Sequence, residues 1–250
     1  MRQLKFLSTL GIACVFLLFS CGGNGSKTTE TAVTSDSTAT TAADSTSTPT
    51  TTASTISTTP ENIMLIRHKV SDFAKWKIAY DGHDSARLAD GIHSFVIGRG
   101  VDDSNMVMVA VKVDDTAKAK AFAKDPSLKA AMHKGGVIGA PSISINTVVY
   151  QDTAKTISDL RSMTTSTVKD WDAWKTAFES NRQMRKDNGV TDRAYGHDAD
   201  DNHKVTVVTA INDTAKAKAF WKSDLLKQKR AESGVVGEVK RFVYRVVQKY

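Results

Sequence analysis

Cysteine is almost missing from this chain: it occurs only at Cys14 and Cys21, inside the first 21 of 250 residues. Beyond that point a disulfide, a thiol nucleophile and a Cys-based metal site are all excluded. Other reaction signatures are absent too. No Glu-x-x-His or comparable ligand pair at helical spacing occurs, so no metal site is expected. No nucleophile elbow surrounds any of the many serines. Gly98-x-Gly100 lacks the third glycine and the strand-turn-helix context of a dinucleotide loop, and no cofactor is expected. The apolar run over residues 10–19 is too short for a permanent bilayer span, which takes about 20 residues. Negative charge is in mild deficit, giving a formal net charge of +7, but the basic residues are scattered and interleaved with Asp and Glu. That distribution reads as solvated faces, and no nucleic-acid partner is expected.

What is present begins with an export signal: Arg2 and Lys5, the apolar run, then Leu18-Phe19-Ser20-Cys21. This tetrad resembles the lipobox of bacterial lipoproteins. The resemblance implies a signal peptide over residues 1–20 and a diacylated, palmitate-type anchor on Cys21, making membrane lipid the first partner. The alternative is an ordinary secretory signal cleaved nearby. Gly22 rather than Asp follows the cysteine, which in such lipoproteins favours the outer membrane, with the protein facing the periplasm. Residues 21–60 are dominated by Ser, Thr, Ala, Gly and Asp, cannot offset their ordering entropy by burial, and are expected to form a disordered linker. Asp36-Ser37-Thr38 and Asp44-Ser45-Thr46 within it resemble O-glycan acceptor sites of some exported proteins.

The remainder is a duplication. Asp115-Thr116-Ala117-Lys118-Ala119-Lys120-Ala121-Phe122 recurs unchanged at Asp213 to Phe220, and the offset, 213 − 115 = 98, holds without a gap over residues 70–149. Two domains follow, repeat one over 61–155 and repeat two over 156–250. Each opens with a β-rich run, over residues 64–70 or 163–168, before a helix N-cap at Asp72 or Asp170. The stripe Phe73, Trp76, Tyr80 (Trp171, Trp174, Phe178) predicts one long amphipathic helix ending near Gly91 or Gly189. A hairpin turning at Asp102-Asp103-Ser104-Asn105 (Asp200-Asp201-Asn202-His203) comes next. An Ala-rich helix capped by Asp115 or Asp213 follows, then a short helical turn at Leu128 or Leu226. Gly136-Val137-x-Gly139 or Gly234-Val235-x-Gly237 turns the chain into a last strand. The order βαββαβ is that of a ferredoxin-like unit and gives an α+β fold class.

The run Arg67-His68-Lys69-Val70-x-Asp72-Phe73-x-x-Trp76-Lys77, with Asp81-x-His83-x-x-x-Arg87 and the later Asp115 to Phe122 motif, resembles the dimeric α/β-barrel superfamily. It is similar in particular to the small "cyclase" or antibiotic-biosynthesis-monooxygenase-like proteins. The resemblance implies two tandem ferredoxin-like units packed sheet to sheet as an intramolecular barrel, a monomer with an internal pseudo-twofold. It also implies a small-molecule cavity between helices and sheet.

The helical stripe, extended by the same steps, reaches His83 and Arg87 in repeat one and Asn181 and Arg185 in repeat two. His83 and His68 are the candidate catalytic acid or base, and Arg87, Trp76 and Tyr80 the candidate ligand-binding residues. The alternative for the arginines is stems laid on apolar surface with heads in water or on an acidic partner; for Trp76 it is packing. His68 and His83 become Ser166 and Asn181 in repeat two, so histidine chemistry belongs to repeat one alone. His93, His133, His197 and His203 have no counterpart histidine and are expected at the surface. The expected function is a membrane-anchored periplasmic lipoprotein that binds a small anionic or aromatic ligand in repeat one. The alternatives are a cofactor-independent monooxygenase or isomerase, and a structural or protein-interaction module.

Overall fold

The computed structural model describes residues 54–250; the leader, Cys21, the O-glycan motifs and the linker through residue 53 lie outside the described residues. Repeat one consists of β1 (Ile56–Ser57), β2 (Glu61–Val70), α1 (Phe73–Gly82), α2 (Asp84–Ala89), β3 (Ile92–Gly100), β4 (Met106–Val113), α3 (Thr116–Phe122), α4 (Pro126–Lys134) and β5 (Val137–Asp152). Repeat two consists of β6 (Leu160–Val168), α5 (Trp171–Ser180), α6 (Arg182–Asp187), β7 (Val190–Asp198), β8 (Lys204–Ile211), α7 (Thr214–Lys222), α8 (Asp224–Glu232) and β9 (Val235–Lys249). Ile56 and Ser57, within the segment read as linker, already pair with Asp152 and Gln151 and prolong β2 along the same edge of β5.

Five of the eight described helices start at an aspartate that caps them. Asp72 accepts from the Lys75 amide at 2.7 Å and Asp170 from the Ala173 amide at 2.7 Å. Asp115 takes the amides of Ala117 and Lys118, at 2.7 and 3.0 Å. At the other end Gly91 (φ 66) and Gly189 (φ 77) take up the left-handed conformation that a side chain would resist.

The long helix expected after each cap is two helices. The break falls at His83 (φ −100, ψ 12) and at Asn181 (φ −91, ψ 15). A break leaves main-chain carbonyls in need of donors. The guanidinium of the following helix supplies one: Arg87 Nη1 donates to the Tyr80 carbonyl at 2.7 Å, and Arg185 Nη1 to that of Phe178 at 2.7 Å. The short turn expected at Leu128 is likewise a full helix, α4, with Pro126 in its first turn and Asp125 capping Ser127 at 2.6 Å. The last strands begin at Val137 and Val235, inside the glycine motifs expected to turn the chain before them, and a register shift between Arg67 and Lys69 accommodates the start of β5.

The strands form one sheet in the order β1-β5-β2-β4-β3-β9-β6-β8-β7, and β7 pairs back onto β5. Eight strands thus close into a barrel with helices outside. Two seams join the repeats, β3 with β9 and β7 with β5. They are equivalent under the 98-residue offset: Val96 pairs with Lys249 and Ala194 with Gln151, Gly98 with Val246 and Gly196 with Val148. Ile63, Met108, Ala110, Met163 and Tyr244 cluster inside the barrel. Met64, Val70, Trp76, Val107 and Val109 belong to the core beneath the helices of repeat one. Among the described residues no helix is long and apolar enough to cross a membrane.

Gly98, the weak nucleotide signal, has a packing reason: a Cβ there would overlap the Tyr244 ring. Its counterpart Gly196 lies against the main chain of Thr147 and Val148, with the Val148 Cα 2.7 Å from a Cβ position. Gly196→Ala should therefore cost about 2–3 kcal/mol by overpacking, read as a lower urea midpoint. Gly82→Ala, at the end of α1 with nothing within 4 Å of the new Cβ, should be neutral or up to about 1 kcal/mol stabilising.

Candidate functional site

The candidate site is a cavity of about 80 Å³ between the sheet and the helices of repeat one. Strand alternation brings Met64, Ile66 and His68 of β2 to its floor. The stripe on α1 closes one side. Phe73, Trp76 and Tyr80 stack in sequence, with ring centroids 5.6 and 5.2 Å apart. His83, at the helix break, and Arg87, on α2, complete the lining, so all five candidate residues meet at this one cavity.

His68 is 4% exposed, its ring 5.5 Å from that of Trp76. Neither ring nitrogen has a hydrogen-bond partner. Burial alone pushes its pKa down to about 4, because a charged imidazolium would lose its hydration here. At neutral pH His68 is therefore an uncharged ring with one donor and one acceptor unused. His83 packs 6.2 Å from Phe122, and its Nδ1 is also buried without a partner.

Arg87 is engaged elsewhere. Besides the Tyr80 carbonyl it donates from Nη2 to Asp84 Oδ1 at 2.9 Å, and its guanidinium lies 3.8 Å over the Tyr80 ring. It braces α2 against α1, leaving only Nε, buried and unpaired, on offer. Tyr80 shares a hydrogen bond with Ser94 at 2.9 Å, and burial is the main cause that raises its pKa. Its outer side meets the far end of the chain, for the Tyr250 hydroxyl donates to Asp81 at 3.0 Å and the two tyrosine rings are 6.3 Å apart.

Repeat two has an equivalent cavity of about 100 Å³. Arg185 there forms a buried two-point pair with Asp192, at 2.7 and 2.6 Å. Asp192, Ser94, Arg230, Arg241 and Trp221 were not singled out by sequence reasoning. The signal that finds the last three is the offset itself: Arg230, Arg241 and Trp221 replace Met132, Ile143 and Ala123 of repeat one. Among the described residues no group of three or more His, Cys, Asp or Glu is placed to hold a metal ion.

By sequence, no family model and no curated protein matches the chain. By structure, an anthrone oxidase-like protein superposes with a TM-score of 0.57 at 13% identity, over 78% of this chain and 95% of its own. A candidate monooxygenase from Fusobacterium nucleatum subsp. nucleatum gives 0.50 at 11% identity, over 76% and 93%. A candidate chlorite dismutase gives 0.50 at 16%, over 76% and 96%. At such identities the likeness is one of fold. The matched share exceeds what either repeat contains, so both repeats take part in it.

The unpaired state of His68 has a pH signature. Its folded pKa, about 4, lies below the model-peptide value of 6.5. Between these values the unfolded chain binds the extra proton, so stability is complete above pH 6.5 and falls as pH drops toward 4. The loss should be on the order of 3 kcal/mol. Urea unfolding at pH 4 to 7 should show this slope in wild type and a correspondingly flatter curve in His68→Phe.

Proposed function

We propose that repeat one is a small-molecule binding unit that takes the hydroxyl-bearing edge of an aromatic ring, with His68 forming the one buried hydrogen bond. The observation that carries this reading is a buried, neutral imidazole with both nitrogens unpartnered on a cavity wall. A buried polar group left unpaired costs roughly 1–3 kcal/mol, which a ligand hydroxyl recovers on binding. Trp76 and Tyr80 line the cavity and supply aromatic contact for a flat ring. Arg87, already held by Asp84 and the Tyr80 carbonyl, favours a neutral aromatic over an anionic ligand. The cavity, about 80 Å³, is below the ~150 Å³ that houses a benzene. Only the edge of a ring enters, and the rest of the ligand lies in the open part of the cleft.

A second reading, cofactor-independent oxidation or isomerisation with His68 as base and His83 beside it, draws on the same free nitrogens and on the fold shared with an anthrone oxidase-like protein. A base whose conjugate acid has a pKa of about 4 is weak, so it works only where the anion left on the ligand stabilises the imidazolium. Binding is therefore the leading reading. 2-Naphthol should quench tryptophan fluorescence saturably in wild type and bind at least about 10-fold more weakly to His68→Phe. Equal affinities would remove His68 from the site. Oxygen uptake with anthrone that depends on His68 would replace the binding reading by the enzymatic one.

The Leu18 to Cys21 tetrad and the Ser/Thr-rich stretch after it support a lipid-anchored placement at the outer membrane, facing the periplasm. Metabolic labelling with radioactive palmitate should mark the wild-type protein and leave Cys21→Ala unlabelled, and the label should sediment with outer membranes. Labelling of the variant, or none of the wild type, would reject the anchor.

A further inference from the structure

The two repeats hold the same cavity with different linings. Every residue lining the cavity of repeat one has its counterpart, 98 positions on, lining that of repeat two. The aromatic side is retained, Trp174 and Phe178 standing where Trp76 and Tyr80 stand. Much of the remaining lining is exchanged. Met64, Ile66 and Val111 give way to Ser162, Thr164 and Thr209, and the apolar side chains of Met132 and Ile143 to the cations Arg230 and Arg241.

These two cations are not arranged like Arg185. That arginine, in the same cavity, pairs through Nε and Nη2 with the Asp192 carboxylate, which also has Arg182 Nε at 3.4 Å. Arg230, on α8, and Arg241, on β9 opposite Thr164, are half-buried, and no acidic group is among the influences on either. Arg241 lies 4.2 Å over the Trp221 ring with its Nε buried and unpaired. The charge of Arg230 works against it from nearby, yet burial lowers its pKa only to about 10, so it is cationic at neutral pH. Two partly desolvated like charges beside a set of hydroxyls destabilise an unliganded cavity. An anion would relieve both.

We propose that repeat two binds a small aromatic carboxylate. Arg241 is held over the Trp221 ring, and the fork of N–H donors that a guanidinium presents suits a planar carboxylate. Arg230 supplies the second cation, Ser162 and Thr164 the hydroxyls, and Trp174 and Phe178 the surface for the ring. The site is separate from that of repeat one, so the fate of the His68 reading does not decide it.

Benzoate is the probe, titrated calorimetrically into the full chain. Wild type should bind it saturably at one site. Arg230→Met/Arg241→Ile installs the residues that repeat one carries at these positions; it should bind benzoate at least about 10-fold more weakly and melt no lower than wild type. Arg241→Lys, which keeps the charge and loses the fork, should bind with intermediate affinity. His68→Phe should bind within about twofold of wild type, since the two cavities share no lining residue and sites without shared contacts add independently. Absence of saturable binding in wild type would overturn the proposal, as would undiminished binding in the double variant. If the double variant does not fold, Arg241→Lys decides, and wild-type affinity there overturns the carboxylate pairing. Displacement of benzoate by equimolar inorganic phosphate would overturn the aromatic carboxylate in favour of a simple oxyanion.

Discussion

The described fold depends on the two seams at which the strand after the helix break in each repeat, β3 or β7, hydrogen-bonds to the last strand of the other, β9 or β5. A ferredoxin-like sheet has helices on one face only, and its second face must be covered. Here each repeat covers the other, and the seams remove the free strand edges that would otherwise invite foreign pairing. Glycine is required at both. Gly98 makes room for the Tyr244 ring and Gly196 for the main chain at Thr147 and Val148, so the same offset position serves the same closure by two different contacts.

Closure sets the geometry outside the barrel. With the sheet fixed, α1 and α5 lie across it with their aromatic stripes inward, and each must turn to follow the curved surface. The chain turns by breaking the helix, and an arginine in the next segment repairs the break by donating to a freed carbonyl. Arg87 and Arg185 thus hold the corner of a cavity, while His68 Nδ1 and Nε2 in repeat one and Arg241 Nε in repeat two stay buried and unpaired beside them.

Much of the frame was legible in the sequence because local rules govern it. The offset of 98, the Asp caps and the glycines after the helices each act through their immediate neighbours, and each appears where expected. The helix break was hidden because His83 and Asn181 continue the apolar spacing, and what permits the break is a side chain four residues on. Trp76 was legible on the helical stripe, whereas His68 was singled out as a histidine of the first strand and its place on the cavity floor comes from the structure. Arg230 and Arg241 were not legible, because the one signal for them, replacement of Met132 and Ile143 across the 98-residue offset, takes on meaning only when the fold shows both positions lining one cavity.

In a ring built from two identical subunits, any substitution falls in both clefts at once, and a cation that suits one is imposed on the other. Here a single covalent chain supplies both halves. The symmetry that closes the barrel is maintained where strands meet, at Gly98 and Gly196, and released where the clefts open. One cleft could keep an apolar lining around an imidazole while its twin gained two guanidinium groups, with no compromise between them. Fusion of the halves has made the scaffold common property and the two interiors private.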